Sequence, residues 1–300
     1  MTDFQANAME SPAIDVSPAE RGQGYWSRVW ARLRYDYVTL TCMAVIVLVV
    51  LMAIFAPYIA PYDPNKSSIV HRLKPVFDDR YWLGTDEQGR DLLSRLIWGA
   101  RVSLLTGIVP VLGATVIGGI LGVLAGFHGG RINMVIMRTM DVFFAFPSVL
   151  LAVAITGSLG GGIVNQLITL TTVFVPSLCR VAETATAQVR SMDFVEAARA
   201  SGAGTWSILR HQVIVNILSP LMVYASTLVS ASILVASGLS FLGLGVAPPT
   251  ADWGLMLSTL RGSIYINPVV CAIPGVAIVI VSMAFNLVSD GLRQAMDIKA

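Results

Sequence analysis

The sequence predicts an all-α integral membrane protein with six transmembrane helices and both termini in the cytoplasm. Three observations carry that expectation. The 300 residues are 55% hydrophobic and 13% charged, where a soluble domain averages about 25% charged residues, and mean hydropathy is +0.72. No Asp, Glu, Lys or Arg occurs in 37–62, 102–130, 142–179, 211–251 or 262–289, and each gap exceeds the roughly 20 apolar residues that span a bilayer as a helix. Lys and Arg also fall mainly on alternate connections, as the positive-inside rule requires. The formal charge of +2 carries no nucleic-acid footprint.

Residues 1–36 are polar and form an expected cytoplasmic N-terminal segment, and the transmembrane domain follows over 37–300. The first span is expected at about 38–58, too late and too long for a cleaved signal peptide. The second runs over about 103–126 and stops before "GFHGGR". The third and fourth, about 133–156 and 163–182, share the charge-free gap 142–179, with the glycine run "GSLGGG" as their turn. The fifth covers about 217–243 and the sixth about 267–289, on either side of the turn-rich "GVAPPTADWG".

Orientation follows from the basic residues near the span ends. Arg21, Arg28, Arg32 and Arg34 precede the first span, Arg131 and Arg138 lie near the second connection, Arg180, Arg190, Arg199 and Arg210 lie near the fourth, and Arg293 and Lys299 follow the sixth. Residues 59–102 run against the rule, with seven Lys and Arg balanced by six acids in a segment placed outside. This external element is expected to contain a short interfacial helix, with Leu92, Leu93, Leu96 and Ile97 on one side and Asp91, Ser94 and Arg95 towards the other. Asp86 and Arg90 beside it are expected to be accessible from outside.

Chemistry by the chain itself is excluded by what the spans lack. His71, His128 and His211 are the only histidines, none lies mid-span, and no carboxylate pair or G-x-S-x-G replaces them. There is no metal-ligand spacing and no P-loop. Cys42, Cys179 and Cys271 read as small buried hydrophobes. A self-contained channel or secondary transporter stays open on the residues alone. Such proteins carry ionisable groups within the membrane, and the pair Arg138 and Asp141, three apart on one helix face, reads either as a neutralising structural pair or as a gating element. Pro147 is placed to kink the same helix. Ser226 and Ser230 on the fifth span are candidates for lining a path, although helix packing accounts for them equally well.

The most informative stretch is "FVEAARASGAGTWSILRHQ" at 194–212. The fourth helix is expected to continue past the membrane, with Glu196 placed to pair with Arg199 and with Ala197, Ala198 and Ala200 forming a bare face. Gly202 supplies a left-handed stop, and Thr205 is placed to cap a second short helix, "WSILRHQVIVN". An angled helix pair with a flat small-residue face is a docking element for a cytoplasmic partner.

Glu196, Ala197 and Ala198, followed three residues later by Gly202, resemble the E-A-A-x-x-x-G loop of ABC-importer permeases. Four further blocks, in order, resemble permeases of the dipeptide, oligopeptide and nickel group: "LGTDEQGRDLLSRLIWGARVSLL" at 83–105, "MRTMDVFFAFPSVLLAVAI" at 137–155, "LSFLGLGVAPPTADWGLML" at 239–257 and "FNLVSDGLRQAMD" at 285–297. The set is similar to the second of the two permease subunits. Where the family continues as I-x-L-P, this chain has Gln212, Val213, Ile214 and Val215 and lacks the proline. The resemblance implies a non-catalytic subunit of the inner membrane that shares a translocation path with a second permease. Its other implied partners are two ATPase subunits, which bind the ATP and Mg, and an extracytoplasmic binding protein that delivers a short peptide or similar solute. No cofactor is implied for the chain itself. The family also places the segment after the first span on the external face.

Overall fold

The computed structural model describes residues 33–296, so the expected N-terminal segment lies almost wholly outside the described residues. Among these residues there is no strand, only an isolated bridge between Thr85 and Asp91. Five helices are long and apolar enough to cross a membrane, and a bent pair supplies a sixth crossing if it counts as one span.

Helix α1, Tyr37–Ile54, starts where the Asp36 carboxylate accepts the free Val38 and Thr39 N–H groups. Its 18 residues rise about 27 Å. Helix α2, Leu92–His128, is capped by Asp91 and has 37 residues. At 1.5 Å per residue it is about 55 Å long, well beyond a hydrocarbon core of about 30 Å. The separate interfacial helix expected before the second span therefore does not exist. Those residues are the first turns of α2, and both of their faces are buried, with Ser94 and Arg95 as inaccessible as Leu92 and Ile97. Residues 60–91 fold over them, through Tyr62 N–H to Ser94 Oγ (3.0 Å) and Leu92 N–H to the Gly84 carbonyl (3.1 Å). Asp86 and Arg90, expected to be accessible, are each 3% exposed.

The third span is not one helix. Helix α3, Gly130–Phe144, and helix α4, Ser148–Leu159, meet at 88° across Ala145–Pro147. Pro147 cannot donate an N–H and disfavours a helical residue before it, so the chain breaks where the sequence suggested a kink. Helix α5, Ile163–Arg190, runs parallel to α2: a Cβ on Gly118 would lie 2.8 Å from the Val175 carbonyl oxygen, and one on Gly126 2.6 Å from that of Glu183. With Gly122 between them against the Cys179 carbonyl, glycines four apart thus let two backbones touch. Parallel α2 and α5 also require the chain to return towards the start of α5 between them, along α3 and α4.

Helix α6, Asp193–Ala200, follows, and then helix α7, Thr205–Phe241. A π turn at Leu209–Val213 lies within α7, so the second short helix expected after Gly202 is the uninterrupted beginning of the fifth span. Helix α8, Trp253–Leu260, precedes helix α9, Pro268–Met296. The bundle has two unlike ends. At the platform end, residues 60–91 and 249–263 cover the start of α2. At the loop end lie Gly129, Arg190 and α6, together with both ends of the described chain, where Leu33 packs on Ala295.

Candidate functional site

Two residues, Ser191 and Met192, separate α5 from α6. Val195 and Ala198, three apart on α6, turn inwards onto Phe127 of α2, Val189 of α5 and Ile208, Leu209, Val213 and Ile217 of α7. The short helix is thereby seated on an apolar cluster of its own, distinct from the core between the spans. Its end is a Schellman turn: Ala203 N–H donates to the Ala198 carbonyl (3.0 Å) and Gly202 N–H to that of Arg199 (3.0 Å), with Gly202 at φ +79°.

Glu196, Ala197, Arg199 and Ala200 face outwards, ringed by exposed Met192, Phe194 and Trp206. Three details differ from the sequence expectation. Ala198 belongs to the buried side, because its spacing from Val195 puts both on one face. Glu196 and Arg199 form no ion pair; the Arg199 guanidinium lies 5.5 Å from the Phe127 ring centroid instead. Thr205 makes no capping bond and is the first helical residue, with Gly204 in the capping position.

The expected pair of Arg138 with Asp141 is also corrected. Asp141 pairs with Arg180 of α5, at 2.6 Å, and Arg180 lies 4.4 Å from the Phe144 ring centroid. A residue three positions away on the same helix loses to one 39 positions away because α3 lies across α5. A second polar contact joins the same two helices, Asn133 Nδ2 donating to Glu183 Oε1 at 2.6 Å. Arg180 and Glu183 were not singled out from sequence, since nothing local marks them as partners of α3.

Ser226 Oγ lies within hydrogen-bond distance of Ser289 Oγ of α9 (3.0 Å) and of its own Val223 carbonyl (2.8 Å), within a hydroxyl cluster completed by Thr227. These hydroxyls join α7 to α9. Ser230 is half-buried. Among the described residues no group of His, Cys, Asp or Glu is placed to hold a metal.

The family described as binding-protein-dependent transport system inner membrane component matches residues 118–299. The N-terminal TM domain of oligopeptide transport permease C matches residues 24–75. The chain is 42% identical over 275 residues to the di/tripeptide transport system permease protein DppC of Pseudomonas aeruginosa, covering 90% of this chain and 91% of that one. It is 37% identical over 274 residues to the glutathione transport system permease protein GsiD of Pectobacterium atrosepticum, covering 91% of both. A probable D,D-dipeptide transport system permease protein of Escherichia coli, DdpC, is 39% identical over 272 residues, again covering 91% of both. Among solved structures, a chain of the inward-facing MetNI methionine ABC transporter superposes with a TM-score of 0.55 at 19% identity, over 67% of this chain and 95% of that one.

Proposed function

The chain belongs to the family of binding-protein-dependent transport system inner membrane components, and from that premise we propose how its two ends divide the work of an ATP-driven importer. It is a multi-pass permease subunit of the inner membrane. The loop end faces the cytoplasm and the platform end faces outwards. Glu196, Ala197, Ala198 and Gly202 form the coupling loop that two ATPase subunits engage, with a second permease completing the path. Hydrolysis, ATP and Mg belong to the ATPases, and this chain is non-catalytic.

One observation carries this reading: α6 is firmly seated from below and bare above. Burying Val195 and Ala198 fixes the helix to α2, α5 and α7, so a load on α6 passes into the spans. The outward side offers small residues, the acids Asp193 and Glu196, Arg199 and a rim of Met192, Phe194 and Trp206, a surface a partner can meet closely. In energetic terms ATP shifts a two-state equilibrium, which requires the loop to contact the ATPases differently in the two states.

For the substrate we propose short peptides, delivered by an extracytoplasmic binding protein, because relatives covering nine-tenths of the chain are named for di- and tripeptides, D,D-dipeptides and glutathione. The test is purification of the untagged ATPases on tagged permease, with uptake of labelled dipeptide in cells. Recovery of the permease alone, with uptake independent of the ATPases, would return the chain to the class of self-contained transporters.

A further inference from the structure

We propose that Asp141 and Arg180 are positioning residues that link the coupling loop to the broken third span, so that ATP-driven movement of α6 reaches the path through this pair. The proposal rests on the coupling reading above and adds the joint by which that coupling proceeds.

The first half of the link is rigid. Helix α5 runs unbroken to Arg190, two residues before α6, and Val189 and Val195 share one buried cluster. Arg180 lies ten residues from the end of α5, about 15 Å along a continuous helix. Displacing α6 therefore displaces Arg180.

The second half is a strut with a hinge at each end. Asn133 and Asp141 are eight residues apart on α3, about 12 Å, yet they meet Glu183 and Arg180, only about 4.5 Å apart along α5. The two contacts therefore converge on a short stretch of α5. Met140 is the sole buried residue of α3, and the two polar contacts tie it to α5. It begins at Gly129 and Gly130, with φ +66° and +53°, and ends at the Ala145–Pro147 break. Arg180 holds this second hinge directly, through Asp141 and through the ring of Phe144.

The pair is also placed where a path would open. The Arg180 and Asp141 side chains are 48% and 46% exposed, and charges on spanning helices are costly against lipid, so they face a bundle interior or a water-filled cavity. The two side chains make a single contact that stays accessible in this subunit. It suits a contact that holds α3 in one state and yields in the other.

The test uses the complete importer: both permeases, the ATPases and the binding protein. Asp141→Asn is expected to retain the ATPases at the wild-type level while dipeptide uptake falls at least tenfold, so that ATP hydrolysed per peptide imported rises. Reversing the pair, with Asp141→Arg and Arg180→Asp together, is expected to recover a substantial part of the uptake. Arg138→Gln, which removes no contact to α5, is expected to leave uptake within twofold. Uptake within twofold of wild type in Asp141→Asn, no recovery in a fully assembled swap, or equal damage from Arg138→Gln would each overturn the proposal. Should the unaltered permease fail to retain ATPases, the coupling reading itself falls, a different result from any of these.

Discussion

The two ends of the bundle treat charge in opposite ways. At the platform end Asp86, Arg90, Asp91 and Arg95 are each no more than 3% exposed. The Asp86 carboxylate takes Arg90 Nε at 2.6 Å and faces Arg95 Nε at 3.5 Å. Arg95 Nη1 donates to the carbonyls of Pro64 (3.0 Å) and Pro249 (3.2 Å), tying three distant segments together. At the loop end Glu196, Arg199, Asp141 and Arg180 are exposed or half-exposed, and none of them joins more than two helices. Buried, multiply bonded charges make a part that is expensive to rearrange. Exposed single contacts make one that other proteins can meet and shift.

The sharpest way to break the contrast is to delete one arginine at each end. Arg95→Met leaves two carbonyls without their donor and removes one of the two cations beside Asp86, and breaking a buried pair costs about 3–5 kcal/mol. The expected result is a large fall in the thermal midpoint and yield of the purified permease. Arg180→Met removes a single half-exposed contact and no buried network, so yield is expected to fall less than in Arg95→Met while uptake is lost. Comparable destabilisation by the two changes would erase the distinction between the ends.

Next in size is Gly202→Val. No atom lies within 4 Å of a Cβ placed there, so space is not the obstacle. The positive φ is, at about 1–2 kcal/mol for an ordinary residue. That is too little to unfold the permease and enough to disturb the turn between α6 and α7. The variant is expected to insert normally, to retain less ATPase on purification and to lose most uptake. Wild-type retention and uptake would show that the turn is not read by a partner.

These two ends also differ in how far the sequence reveals them. The turn at Gly202 is local: a glycine after a short helix needs only its own neighbours, and its left-handed conformation was legible. Charge-free runs mark the long apolar helices in the same way, since length and hydropathy are local properties. The platform is not local. Arg95 looked like the polar side of a surface helix because its partners, Pro64, Asp86 and Pro249, come from segments that only the fold assembles. Helix spacing pairs Asp141 with Arg138 for the same reason. Spacing along a helix finds neighbours on that helix, and here α3 turns the carboxylate towards α5.

A smaller effect is expected from acid at the platform. Asp252 accepts from Leu255 N–H at 3.0 Å and from Ser103 Oγ at 3.1 Å. Burial raises its carboxyl above the ordinary 3.8, against hydrogen bonds from Leu255, Ser240, Ser103 and Gly254 that lower it. With the folded value above the unfolded one, the folded protein holds the extra proton between the two. Stability from this group therefore falls as pH rises from 3.8 through the raised value, and stays lower above it. Asp252→Asn keeps an oxygen to cap α8 and is expected to flatten that part of the profile of thermal midpoint against pH. A slope unchanged in the variant would assign it to another group.

The smallest change expected lies between the ends. Ser226 and Thr227 of α7 gather with Ser289 of α9 around the Val223 carbonyl, to which Ser289 Oγ also donates at 3.1 Å. In Ser226→Ala, Ser289 still has Thr227 and that carbonyl, so no buried group is stranded. Interhelical hydrogen bonds of this kind in membranes average about 0.6 kcal/mol. Ser226→Ala is therefore expected to retain the ATPases, to shift the thermal midpoint only slightly and to keep uptake near wild type. Ser289→Ala, which leaves both α7 hydroxyls without their partner on α9, is expected to cost more. If Ser226→Ala instead lowers peptide uptake sharply with ATPase retention and thermal midpoint intact, its hydroxyl serves the solute rather than the helix contact. The path would then run along α7 beside α9, and the division between the platform end and the loop end would need a third, substrate-bearing region between them.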